Sequence, residues 1–159
     1  MFDDFHEWLK IIHILSANVL LGTSLGTGFH LWAAGRNGDP RDVAAAARIT
    51  VWIAFLFTAP AAVIQPLTGG LLMSIMGFEM KTPWLIAAFA LFAVAVACWL
   101  VIVWLQVQVR DLAVVAAARQ EHLPPAFHSA TRAWIALGWA ALLALAVTVG
   151  LMVVKPELW

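Results

Sequence analysis

PWLIAAFALFAVAVACWLVIVWLQVQV, residues 83–109, carries no charged side chain, and its only amides are Gln106 and Gln108 near the end. A helix needs about 20 apolar residues to cross some 30 Å of hydrocarbon, and a chain there must satisfy its backbone internally, so this stretch reads as a transmembrane helix. Working outward, three more stretches qualify. The first runs from about Trp8 to Ala34 and ends at the turn Gly35-Arg36-Asn37-Gly38-Asp39-Pro40. The second runs from about Ala46 to Met76, and Pro60 and Pro66 inside it each remove a backbone hydrogen bond, which predicts a kink around Ala59–Thr68. The fourth runs from about Ala130 to Val154 and stops at Lys155-Pro156. Short polar connections favour antiparallel neighbours. The expected fold is all-α: one domain over residues 1–159, a polytopic up-down bundle of four transmembrane helices with a proline-kinked second helix.

Composition excludes several classes. Of 159 residues, 64% are apolar and 11% charged, the reverse of a water-soluble domain. With Lys+Arg 9 and Asp+Glu 9 there is no basic surface for nucleic acid. Disorder is excluded by the hydrophobicity. The lone Cys98 offers neither a disulfide nor a CxxCH haem attachment. The N-terminus opens on Asp3, Asp4 and Glu7 rather than a basic patch, so the first span is expected to be retained.

Arg36, Arg41, Arg48, Arg110, Arg119 and Arg132 flank one side of the bundle, and Lys10, Lys81 and Lys155 the other. The positive-inside rule places the arginine side in the cytoplasm of a bacterial inner membrane and both termini in the periplasm. Asp3, Asp4, Glu7, Glu79 and Glu157 fall outside on this reading. Trp8, Trp32, Trp52, Trp84, Trp104 and Trp159 lie near predicted helix ends, as an interfacial belt requires. Trp99, Trp139 and the somewhat shallower Trp134 are expected to pack inside the bundle or against a flat ligand.

No Asp or Glu falls in any span, which argues against a carrier built on buried carboxylates. The polar groups at depth are His13, Ser16, Asn18, Ser24, Thr27 and His30 on the first helix, Thr58, Gln65 and Thr68 on the second, and Gln106 on the third. At helical spacing His6, His13, Ser16, Ala17, Leu20, Ser24, Thr27 and Leu31 share a stripe about 100° wide that should face the bundle. Gly22, Gly26 and Gly28 are expected to permit close helix approach. His13 lies under about 10 Å below the outer boundary. Three readings stay open for it: an imidazole bonded to a neighbouring helix, a metal or haem ligand, or a proton carrier. His30 sits roughly 25 Å further along the axis, so one haem cannot use both. A second metal site there, near His122 and His128, competes with plain interfacial placement.

The runs Leu9-Lys10-Ile11-Ile12-His13, Phe57-Thr58-Ala59-Pro60, Gln65-Pro66-Leu67-Thr68-Gly69, Thr82-Pro83-Trp84-Leu85, Cys98-Trp99-Leu100, Val103-Trp104-Leu105-Gln106, Arg110-Asp111-Leu112 and Val153-Val154-Lys155-Pro156 resemble a bacterial family of predicted integral membrane proteins without an assigned activity. More distantly, the layout is similar to HemJ-type protoporphyrinogen oxidases and to CopD copper-resistance proteins. The HemJ resemblance implies haem b on a first-helix histidine, here His13. It also implies a lysine just after the Trp-Leu of helix three, but Trp84-Leu85-Ile86-Ala87-Ala88 is wholly apolar. The Pro-Arg pair of that type is missing from helix one, where Thr27 and Gly28 stand nearby.

Around a haem on His13 the expected neighbours are Ser16 and Gln65, Met73, Met76 or Met152 on the opposite face, and Trp139 or Trp99 as walls. Gln65 is alternatively a cap for groups freed by Pro66, and the methionines plain packing. The leading expectation is a haem-b membrane protein of electron transfer or oxidation. A cofactor-free accessory subunit packed on other membrane subunits, or a homo-oligomer, is the alternative. Copper or small-solute transport along the polar stripe comes last, since no Met/Cys/His cluster marks a soft-metal route.

Overall fold

The computed structural model describes residues 2–36, 38–79 and 81–156, with side chains from residue 5 onward. The expectations for Trp159 and Glu157, and for the side chains of Asp3, Asp4 and Asn37, fall outside the described residues. The described chain is helical throughout its spans: α1 Phe2–Gly35, α2 Pro40–Ile53, a π-helical segment Ala54–Thr58, α3 Ala59–Ile75, α4 Pro83–Arg119 and α5 Pro125–Val154. α2, the π segment and α3 form one rod, so four helical rods are long and apolar enough to cross a membrane. They run alternately up and down, because the start of α1, the end of α3, the start of α4 and the end of α5 meet around one cavity.

Local chemistry sets the ends. Asp39 accepts the Arg41 N–H at 2.8 Å, and Pro40 follows at a position where its missing N–H is harmless. α4 closes on Gln120 in the left-handed conformation, with the Glu121 N–H donating to the Ala116 carbonyl at 3.0 Å. Gly77 ends α3 in the same way, where its φ of 71° suits a residue without Cβ, and turns Phe78 back over the bundle.

Every rod outruns the apolar stretch that marks it. α4 continues past Val109 through Arg110 and Asp111, which pair with each other at 2.8 Å, and then buries Ala113 and Ala116. α1, α2 and α5 likewise begin before the expected Trp8, Ala46 and Ala130. The break in the second rod lies one turn before the expected Ala59–Thr68. Pro60 cannot donate, and its ring crowds the Leu56 carbonyl of a regular helix, so the preceding turn widens: the Ala59 N–H reaches the Ala54 carbonyl and the Thr58 hydroxyl reaches the Ile53 carbonyl at 3.5 Å. Pro66 sits inside a helix that continues through it.

The two ends of the bundle pack differently. At the arginine-bearing end, Val43, Ala44, Ala46 and Ala47 of α2 meet Val109 and Ala113 of α4 and Phe127, Ala130 and Trp134 of α5. Small side chains let these helices approach closely. Beyond the π segment the rod loses a neighbour: α2 packs on both α4 and α1, whereas α3 leans on α1 and scarcely touches α4. The stripe expected on α1 does face inward, with Ser16, Leu20, Thr27 and Leu31 buried and His13 and Ser24 half-buried. The glycines do not behave as expected, since a Cβ at Gly22, Gly26 or Gly28 would meet nothing within 4 Å. Trp8, Trp32, Trp52 and Trp104 are exposed as an interfacial belt requires, but Trp84 is only 8% exposed and belongs to the interior.

Candidate functional site

His13 and Ser16 on α1 lie one turn apart, as do Gln65 and Thr68 on α3, so the two helices present two polar side chains each to their shared seam. His13 Nδ1 is 2.8 Å from Thr68 Oγ1, and its Nε2 is 3.2 Å from Gln65 Nε2. The Thr68 hydroxyl donates to the Ile64 carbonyl at 2.8 Å, leaving its oxygen to accept from Nδ1–H. Nε2 then carries the lone pair and accepts a Gln65 N–H, while Gln65 Oε1 accepts from the Ser16 hydroxyl. These protons are assigned from the network with the Gln65 amide as oriented. Gly69 makes the arrangement fit, since a Cβ there would stand 3.2 Å from His13 Cε1.

Beside the ring lies a cavity of about 210 Å³. It is the wedge left where α3 leaves α4. Its walls are Gly69 and Met73 of α3, Trp84, Leu85, Ala88 and Phe92 of α4, and Met152 of α5, with Phe78 from the turn. Phe78 meets Trp84 edge-on at 5.4 Å and carries the Lys155 ammonium 5.0 Å over its face. Among the described residues Lys10 and Lys155 are the lysines that line it, and Lys10 is tied to Glu7 at 3.3 Å. An imidazole lone pair, apolar walls and two ammonium groups suit an apolar body with anionic substituents. The space is below the roughly 300–1,000 Å³ of a pocket that encloses a drug-sized ligand.

Of the expected site residues, His13, Ser16 and Gln65 are brought together by direct hydrogen bonds, and Met152, Met73 and Met76 line the same cavity as His13. Trp139 is not there. It is 56% exposed and lines a lateral groove with Phe29, Trp32 and Trp134, because the buried stripe of α5 runs through Trp134, Ala141, Ala144 and Thr148. Trp99 lines a separate cavity at mid-depth, not the one beside His13. His30 is exposed, and among the described residues no three of His, Cys, Asp and Glu converge, around it or around His13. Gln65 does not cap the backbone freed by Pro66, since its side chain is spent on Ser16 and His13.

Sequence reasoning did not assign Thr68 to His13, nor Gly69, Trp84, Lys10 and Lys155 to the cavity. The i,i+3 spacing of Lys10 and His13, and of Gln65 and Thr68, was the available signal.

Over residues 7–156 the chain matches the family described as predicted integral membrane protein (DUF2269). It belongs to that family and is a multi-pass membrane protein. No curated protein and no solved structure matches it.

Proposed function

We propose that this is a haem-b-binding protein of the bacterial inner membrane, with both termini periplasmic, taking part in electron transfer or oxidation at the outer half of the bilayer. The observation that carries the reading is the His13 ring on the wall of an apolar cavity rimmed by Lys10 and Lys155. Its donor set suits the group. Nδ1–H is fixed by Thr68, as the second nitrogen of a ligating imidazole usually is, and Nε2 is left with its lone pair. The Gln65 amide must release its long 3.2 Å hydrogen bond for that lone pair to ligate, and it keeps Ser16 as a partner when it does. Lys10 and Lys155 would hold carboxylate substituents, while Trp84 and Phe92 keep water from the ring. Bound haem would supply one-electron redox chemistry, and the protein would set its potential through the axial ligand and the dryness of the site.

The test is the visible spectrum of protein purified in detergent. A Soret band that is kept in His30→Ala and lost in His13→Ala supports the proposal; a colourless wild-type protein from haem-replete cells overturns it. The competing reading, an accessory subunit, draws on one specific feature: both imidazole nitrogens already have partners inside the chain. It requires a colourless protein that co-purifies with a stable membrane partner.

A further inference from the structure

At mid-depth a second, smaller cavity of about 50 Å³ lies among all four rods. Gln106 of α4 reaches it with 5% of its surface exposed, and its Oε1 has no hydrogen-bond partner. Such an orphan acceptor is rare in a native interior and rarer in hydrocarbon, where no bulk water can compensate it. The other polar walls are Thr23, Ser24 and Thr27 of α1 and Thr58 of the π segment.

Their protons are already committed. Thr23 donates to the Val19 carbonyl at 2.8 Å, Ser24 to Leu20 at 2.7 Å, Thr27 to Thr23 at 2.7 Å, and the Thr58 hydroxyl to Thr23 Oγ1 at 2.9 Å. The α1 hydroxyl oxygens and Gln106 Oε1 therefore face the cavity as acceptors. No hydrogen bond joins Gln106 to those hydroxyls, and a small donor held in the shared cavity would satisfy both sides. The space suits water, which needs roughly 10–15 Å³, and is far too small for an organic cofactor. A metal ion does not fit, because every oxygen is neutral and an uncompensated charge at mid-bilayer is expensive.

We propose that this cavity is a bound-water site, in which water donates to Gln106 Oε1 on α4 and to Ser24 or Thr27 on α1. α1 and α4 scarcely touch directly, so the water is their polar link at the level of the π segment. The site is separate from the His13 cavity, and Phe92 lines both.

The test is an experimental structure of the full chain in lipid at a resolution that shows ordered water. The expected result is a peak at about 2.7–3.2 Å from Gln106 Oε1 and within the same range of an α1 hydroxyl. The peak should be absent from Gln106→Leu and, should that variant not fold, displaced or absent in Ser24→Ala. An empty cavity, a Gln106 amide turned onto another protein group, or a peak at the shorter distances of a coordinated metal ion overturns the proposal.

Discussion

The two ends of this bundle are both lined mostly by apolar residues, yet one is closed and the other holds a cavity. At the arginine-bearing end, alanines and valines of α2, α4 and α5 close the helices onto one another, with Val109 and Ala113 fully buried. At the other end α3 leaves α4, and the wedge between them is lined by larger side chains around His13. The difference is the turn Ala54–Thr58. Beyond this widened turn the second rod stays on α1 but leaves α4, so the seam that holds His13, Gln65 and Thr68 is closed and a cavity opens beside it. In a bilayer, where helix association rests on packing rather than on hydrophobic transfer, a run of small residues is the tight end and the loss of a neighbour is the open one.

That contrast can be broken by filling. Ala113→Leu places a larger side chain where nothing is exposed, and over-packing of this kind costs typically 1–3 kcal/mol. Ala88→Leu is equally buried but borders the cavity, so its added atoms have somewhere to go. Denaturant titration in mixed micelles should show a large loss of stability for Ala113→Leu and a small one for Ala88→Leu, which instead should lose haem. Equal losses would mean the cavity is not open space.

A finer comparison uses glycine. Gly69→Ala drives a methyl to 3.2 Å from His13 Cε1, and the ring must shift by a few tenths of an ångström against Thr68. Gly22→Ala meets nothing and gains helix propensity of about 1 kcal/mol at most. A weakened or shifted Soret band in Gly69→Ala beside an unchanged one in Gly22→Ala is the expected pair of spectra. The smallest effect is expected at the rim. Lys10→Ala and Lys155→Ala each remove one partly screened charge from a bound carboxylate, on the order of 0.2–1 kcal/mol, and should weaken haem retention by no more than about fivefold at low salt and less at high salt.

How far the sequence foretold this molecule follows from where polarity marks a helix. α1 was legible in rotation because His13, Ser16 and Thr27 punctuate one face, and that face is the one turned inward. Within their spans α4 and α5 carry few polar marks, Gln106 and Thr148 among them, so most of their length does not separate a lipid face from a bundle face, and Trp84 and Trp139 exchange the environments expected of them. Spans were legible as apolar runs, but helix ends were not, because the helical backbone continues beyond the apolar run, as α4 does through Arg110 and Asp111 to Arg119. The proline effect was legible in kind but not in position, since a proline disturbs the turn before it. Thr68 was signalled only by its i,i+3 spacing from Gln65, and Lys155 reaches the site through tertiary geometry alone.

The central claim is that His13 Nε2 is an axial ligand, and the most direct measurement is chemical rescue. In His13→Gly the cavity gains room where the imidazole stood. Haem absorbance absent from this variant and restored by millimolar free imidazole is the predicted result; a Soret band of full intensity in His13→Gly without imidazole would contradict the account.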